Sequence, residues 1–447
     1  MATSRVTTSA QAPSPTPAFD DHHPPAAHII ADCVHCGFCL PTCPTYLLWG
    51  EEMDSPRGRI VLMKSASEHE IGLSDTTVRH FDQCLGCMAC VTACPSGVRY
   101  DRLIEATRAQ VERRYVRSRR ERLMRSLLFT LFPHPRRLRA LAPAIWMYQK
   151  TGIARLMRAS WVRRGMPAQV AALLDIAPPV SARAITTRYP TTAPAKGERR
   201  VRVGLLLGCV QRVFFHGVND ATIRVLTAEG CEVAMPRGQG CCGALSVHSG
   251  REEEGLAYAR RVIDAFERAD VDVIITNAAG CGSVMKEYGE LLRDDPIYAE
   301  RAQAFSAKVR DALEFVASLE PRAERHPLRT RVAYHDACHL SHAQGIRKQP
   351  RDLLRSIPGV ELVELVESEV CCGSAGVYNI LEPVPARALG DRKARHVAQA
   401  HPDILAAANP GCLLQIQSAL ERAGEHVASA HPIEVLDASL RGVRLRE

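Results

Sequence analysis

Cys33-Val34-His35-Cys36-Gly37-Phe38-Cys39-Leu40-Pro41-Thr42-Cys43-Pro44 is the stretch from which the rest of the chain can be read. Its spacing, Cys-x2-Cys-x2-Cys-x3-Cys-Pro, returns at Cys84, Cys87, Cys90, Cys94 and Pro95, each cysteine 51 residues after its counterpart. Three thiolates on a short loop can reach three iron corners of a cubane, while the fourth, beyond the next turn, points toward a neighbouring cluster. Pro44 and Pro95 turn the chain away, and Gly37 and Gly86 are expected to let the backbone approach sulfide. Structural zinc and disulfides are the competing readings. A zinc site takes four ligands, commonly as two Cys-x2-Cys pairs, and gives no reason to repeat a four-cysteine run.

In two-cluster ferredoxins the fourth cysteine serves the opposite cluster. That rule assigns Cys33, Cys36, Cys39 and Cys94 to one [4Fe–4S] cluster, and Cys84, Cys87, Cys90 and Cys43 to the other. Between the two runs, Arg57 to Glu70 reads as a helix opened by Ser55-Pro56 as cap and first-turn residues. The expected unit is therefore a helical two-cluster ferredoxin domain over residues 29–98. His35 and His80 flank the motifs and are read as surface or supporting residues, not ligands.

Outward from this unit, the chain of 447 residues is long enough for several cores. Residues 1–28, rich in Pro, Ala, Ser and Thr, are expected to be a disordered tail, with no signal peptide. Seventeen cysteines in tight clusters point to a reducing compartment and to metal or redox groups. No apolar run is long enough to span a bilayer. Residues 99–196 form a basic, helix-rich connector. Residues 99–164 carry 18 Lys or Arg against four acids, a local net of +14, so the rest of the chain stands near 8 − 14 = −6. Arginines from Arg113 to Arg125 are expected on nearly every helical face, followed by Leu127, Leu128, Leu131 and Phe132, with Trp146 and Trp161 further on. Such a stretch suits an anionic membrane surface or an acidic partner subunit, with a plain solvated helix as the third reading; no nucleic-acid motif accompanies it.

The C-terminal region is a duplication. Cys209, Cys241, Cys242 and Cys281 correspond to Cys338, Cys371, Cys372 and Cys412 at offsets of 129, 130, 130 and 131 residues. Both copies contain Cys-Cys-Gly and end on Gly-Cys, which sets repeat 1 at 197–325 and repeat 2 at 326–447. Apolar runs such as Val201–Leu207, Val271–Thr276, Arg331–His335, Val360–Leu365 and Ile404–Ala408 alternate with amphipathic stretches such as Asn219–Ala228. The pattern predicts parallel sheets covered by helices, with cysteines just past the strand ends, where α/β sheets place ligands. Fold class is thus α+β and α/β, multidomain. The eight repeat cysteines are either a further metal or redox site or ordinary buried core thiols. His335 and His339 are possible extra ligands.

These paired Cys-Cys-Gly copies, placed after a ferredoxin unit, resemble the cysteine-rich domains of heterodisulfide reductase and the iron–sulfur subunits of several membrane-associated dehydrogenases. Among the latter, Cys33 to Tyr46, Gly208-Cys209-Val210-Gln211, Asn277 to Ser283 and His335 to Leu340 resemble the glycolate oxidase (glycolate dehydrogenase) family. The resemblance implies a complex with a FAD-containing subunit and a further flavin-related subunit, glycolate oxidised to glyoxylate, and electrons passed to a membrane acceptor such as quinone. One departure stands out. Heterodisulfide reductase begins a Cys-x-x-Cys at the last cysteine, whereas this chain has Val284 and Gln415 at the matching positions. That weakens a disulfide-cleaving cluster, although four thiolates could bind a metal between the repeats or an adjacent pair could act as a dithiol.

No Gly-x-Gly-x-x-Gly follows a strand and no phosphate loop is present; Gly238-Gln239-Gly240 lacks the rest of such a motif. Two-electron oxidation of an organic substrate needs a hydride-accepting cofactor, which this chain is not expected to bind alone. The expectation is an electron-transfer subunit, cytoplasmic, with peripheral contact on the inner face of the plasma membrane suggested by the connector. The alternatives are the same role in glycerol-3-phosphate or lactate oxidation, a thiol–disulfide enzyme using Cys241-Cys242 or Cys371-Cys372, or a metal scaffold without turnover.

Overall fold

Two sheets built on the same plan organise the C-terminal half. The computed structural model describes residues 17–445, apart from the side chains of Arg155, Arg158 and Ser160. The strands are β1 (Thr192–Ala193), β2 (Val201–Leu205), β3 (Cys231–Ala234), β4 (Val273–Thr276), β5 (Val309–Asp311), β6 (Thr330–His335), β7 (Val360–Glu364), β8 (Ile404–Ala407) and β9 (Ala428–Ala430). The first sheet runs β1-β3-β2-β4-β5 and the second β7-β6-β8-β9. All pairings are parallel except β1 with β3. Removing β1 leaves two identical orders, so the duplication read from cysteine spacing is also one of topology.

The central strands are apolar on both faces because helices cover both sides. Val203, Leu205, Val332, Ala333, Leu405 and Ala406 are fully buried in one core that runs through both repeats. Helix His216–Ala228 of the first repeat packs on helix Pro432–Leu440 of the second, and Arg224 ties them through Asp437 at 2.7 Å. At the cysteine ends, the Ala279 N–H donates to Ala408 O at 3.1 Å across the repeats. Gln239 is also structural: its Oε1 accepts from Leu207 N at 2.6 Å.

The ferredoxin-like unit is helical, as expected. Helix Pro56–Ser67 starts where Ser55 Oγ accepts from Gly58 N at 3.1 Å. Helices Asp75–Asp82 and Tyr100–Arg114 close its core around Met63, Phe81, Leu103 and Ile104.

Two expectations are corrected. Residues 1–16 of the supposed tail lie outside the described residues, but from Ala18 the chain is packed. Ala18 and Phe19 are buried with Ala66, and Asp20 N donates to Gln110 Oε1 at 2.8 Å. The stretch from Arg113 to Arg125 is not one all-round basic helix either. It breaks between Arg114 and Arg119, and its arginines are partly internal. Arg117 is buried against Asp82 at 2.7 Å, Arg125 pairs with Glu112 at 2.9 Å, and Arg113 bridges Asp20 and Glu252 at 3.0 Å. A charge run read along the chain shows nothing of acids supplied by distant helices.

Candidate functional site

The two cysteine runs fold as matching loops in different surroundings. Cys33, Cys36, Cys39 and Cys94 line one cavity, with Cys90 beside them. Cys36 is exposed and the other three half-buried, while Cys43, Cys84, Cys87 and Cys90 are buried. Cys43 lies with Cys84 on the buried Arg59, and both act on Cys90. Cys43 and Cys94 thus each sit with the opposite loop. All seventeen cysteines are free.

Loop conformation follows from four left-handed residues. His35 and Gly37 have φ of 54° and 88°, and their counterparts Gly86 and Met88 have 62° and 64°. Glycine therefore occupies different positions in the two loops, and its structural role is to admit an arginine. A Cβ on Gly37 would stand 3.0 Å from Arg57 Nη1, and one on Gly86 would stand 3.0 Å from Arg108 Nη1. Arg57 donates to His35 O at 2.9 Å, and Arg108 donates to Cys84 O and, at 2.9 Å, to His248 O.

The buried set is built for sulfur that carries negative charge. Gly86 N–H donates to Cys84 Sγ at 3.4 Å and Tyr100 O–H at 3.6 Å. Burial alone would raise the Cys84 thiol, yet Arg59 and Arg108 beside it hold it below the ordinary thiol range. Arg59, 1% exposed, is fixed by His80 O and Asp54 O, each at 2.6 Å. His80 in turn meets Asp54 Oδ1 at 2.8 Å, which makes it a supporting residue. Free thiols in two sets, N–H and O–H donors to sulfur and buried cations all fit iron–sulfur ligation. His35 is an exposed loop residue that offers its carbonyl to Arg57.

The buried loop faces the second repeat. Leu85, Cys87 and Ala89 share an apolar cluster with Cys338, Cys371 and Tyr378, and Thr92 Oγ1 meets His342 Nδ1 at 2.8 Å. The other loop faces outward, with Val34 68% and Phe38 64% exposed.

Each repeat collects its own four cysteines, so they do not form one shared set between the repeats. Hydrogen bonds link Cys209, Cys241, Cys242 and Cys281 in that order, and Cys338, Cys371, Cys372 and Cys412 likewise. In each Cys-Cys pair the bond from the first thiol draws the second well below its ordinary value. Val284 is core, and Gln415 is occupied by Asn379 and Ala386 O at 3.0 and 2.8 Å. His339 Nδ1 stands 3.5 Å from Cys338 Sγ, and its ring meets His248 at 4.8 Å between centroids. Burial pushes His248 down to about 3 and its partner Glu105 up to about 7. Cys231, outside both sets, is core in β3.

A cavity of about 880 Å³ opens from both thiol sets toward the connector, whose Leu128, Leu131, Phe132 and Ile145 form its apolar wall. Exposed Leu123, Leu127, Trp146 and Met147 continue that character onto the surface. Arg57, Arg59, Arg108, Lys393 and His248 were not singled out from the sequence. Only Arg57 and Arg108 carried a signal: they too are 51 residues apart.

Three family models match the chain: a 4Fe-4S dicluster domain over residues 29–98, the linker region of the glycolate oxidase iron-sulfur subunit over 120–177, and a cysteine-rich domain over 203–286 and 332–417. The chain is 39% identical over 399 residues to the probable glycolate oxidase iron-sulfur subunit of Bacillus subtilis, covering 88% of this chain and 90% of that one. It is 37% identical over 421 residues to the glycolate oxidase iron-sulfur subunit of Escherichia coli, covering 93% and 95%. It is also 32% identical over 238 residues to lactate utilization protein A of Halalkalibacterium halodurans, covering 53% of this chain and 97% of that one.

Proposed function

The chain belongs to the family of glycolate oxidase iron–sulfur subunits, and from that premise we propose that it relays electrons from a FAD-containing subunit to a membrane acceptor during oxidation of glycolate to glyoxylate. The observation that carries this reading is the contrast between the loops: one exposed beside Val34 and Phe38, the other buried against Cys338. Cys33, Cys36, Cys39 and Cys94 would hold an outer [4Fe–4S] cluster, and Cys84, Cys87, Cys90 and Cys43 an inner one. When bound, such clusters accept and release single electrons, splitting the two-electron output of a flavin.

The chain's own residues set direction and environment. Val34 and Phe38 give the outer loop an apolar docking face for the flavoprotein, with a further flavin-related subunit completing the complex. Arg59, Arg108 and Tyr100 stabilise negative charge on the inner thiolates. The apolar cavity beside the repeat cysteines, walled by the connector, suits a quinone-type acceptor reaching in from a membrane surface. Among the described residues no helix is long and apolar enough to cross a membrane. Partial likeness to lactate utilization protein A makes lactate the second substrate to consider.

The reading is tested in the assembled complex with V34D/F38D. The expected result is unchanged iron content with glycolate-dependent quinone reduction slowed at least tenfold and restored at high flavoprotein concentration. Full activity in that variant would remove the docking assignment.

A further inference from the structure

His335 ends β6, is fully buried, and meets no oxygen or nitrogen partner at either ring nitrogen; the one group it reaches is the Cys372 thiol, which it helps to draw down. A buried imidazole whose single near partner is a thiol leaves its other nitrogen unmet, which is costly, so the group implies a further partner that protein atoms do not provide. Its nitrogen, Cys372 Sγ and Cys412 Sγ all lie within 4.8 Å of one another, and all three residues are buried. Metal–nitrogen bonds of about 2.0–2.1 Å and metal–sulfur bonds of about 2.3 Å bring donors on a single ion to such separations.

The duplication supplies an internal control. The position of repeat 1 that matches His335, counted from Cys209 as His335 is from Cys338, is Leu206, a buried apolar residue. Repeat 2 differs again at Lys393, which is buried near Cys371 and Cys372 and donates to Glu367 O; its counterpart is Ile263. At these two positions repeat 1 carries apolar side chains, whereas repeat 2 carries a nitrogen donor and a cation. A cation balances the charge that thiolates bring to a buried metal site.

We propose that repeat 2 binds a thiophilic metal centre in which His335 is a nitrogen ligand beside Cys372 and Cys412, and that repeat 1 lacks this ligand. Zinc and an iron corner of a cluster share this donor chemistry. His335 takes the place of the missing fifth cysteine in function, from β6 instead of from the helix that carries Gln415. The inference goes beyond the relay reading and stands without it, because metal ligation is measured independently of electron transfer.

The test compares the full chain, purified without oxygen, with H335L and H335C. Metal analysis separates the sources: zinc without extra sulfide marks a lone ion, and iron with sulfide beyond the ferredoxin clusters marks a cluster. Zinc-edge absorption or pulsed EPR, respectively, is expected to show a nitrogen donor in the wild type. H335L should lose that nitrogen and the repeat 2 metal while keeping the N-terminal cluster signals. H335C should retain metal with sulfur replacing nitrogen. After metal stripping, H335L should melt at or above wild type, since leucine removes a buried ring nitrogen that protein atoms leave unmet. An unchanged metal complement in H335L would overturn the proposal. So would a wild-type centre without nitrogen coordination, a readout that needs no variant to fold.

Discussion

Arg57 and Arg108, 51 residues apart, stand in the same relation to the two cysteine loops: each lays its guanidinium where a glycine leaves room and donates to a carbonyl of that loop. The repeat therefore extends from the cysteines to the arginine that braces each loop. G37A and G86A would each force a Cβ into the left-handed region and against the arginine. Each is expected to cost about 1–2 kcal/mol, read as a fall in the melting temperature of the loaded protein. H35G should do the opposite, gaining up to about 1 kcal/mol, because His35 is exposed at φ 54° and gives up no packing.

Arg59 closes the network of Asp54, His80 and Thr45 beneath the inner cysteines. R59M leaves Asp54 buried without its cation and should destabilise the domain by about 3–5 kcal/mol. R59M/D54L should recover part of that loss, because no unpaired charge remains. In whatever fraction still loads, the inner cluster's potential is expected to fall, since a nearby positive charge has been removed. Potentiometric titration followed by EPR checks the shift; an unchanged potential would separate Arg59 from the electrostatics of the site.

Asp311 gives a pH signature away from the cysteines. Burial pushes its carboxyl up to about 7 despite Lys286 nearby, while its Oδ1 caps helix Ala312–Ser318 by accepting from Leu313 N at 2.8 Å. A carboxyl raised in the folded state favours folding below its unfolded value near 3.8 and loses that contribution as pH rises through about 7. Chemical denaturation at pH 5, 6, 7 and 8 should thus show D311N losing less stability than wild type across the series. Parallel curves would remove Asp311 as the source of the slope.

Exposed Leu123, Leu127, Trp146 and Met147 share the connector with exposed Arg119, Arg120 and Arg122. Binding to anionic vesicles is expected, weakening with salt, and L127E/W146E should weaken it at least about tenfold, as loss of two apolar anchors implies. Equal binding of variant and wild type, measured by sedimentation with liposomes, would leave this face to a partner subunit.

Patterns carried locally were legible in the sequence, and long-range pairings were not. The strands around Val203 and Leu405 and the helix after Ser55 follow from apolar runs and a cap, so they fall within three residues of expectation. Both four-cysteine sets of the repeats were visible from spacing alone. Nothing in the spacing told which cysteine of the ferredoxin loops meets the repeats; the contact of Cys87 with the Cys338 cluster arises from packing between distant helices. Arg117 looked like a solvated charge because its partner Asp82 lies 35 residues away. His335 reads as a possible ligand from its place three residues before Cys338, but only the fold shows that it meets Cys372 and Cys412 and not Cys338's neighbours in sequence.

Iron and acid-labile sulfide analysis with EPR of the dithionite-reduced protein, on wild type and the single variants C36S, C94S, C43S and C84S, bears most directly on the crossed two-cluster assignment. The account predicts about eight iron per chain in the N-terminal part. C36S and C94S should alter one spectral component, and C43S and C84S the other. Fewer than about four iron after careful anaerobic reconstitution, or a C94S spectrum that matches C84S instead of C36S, would contradict it.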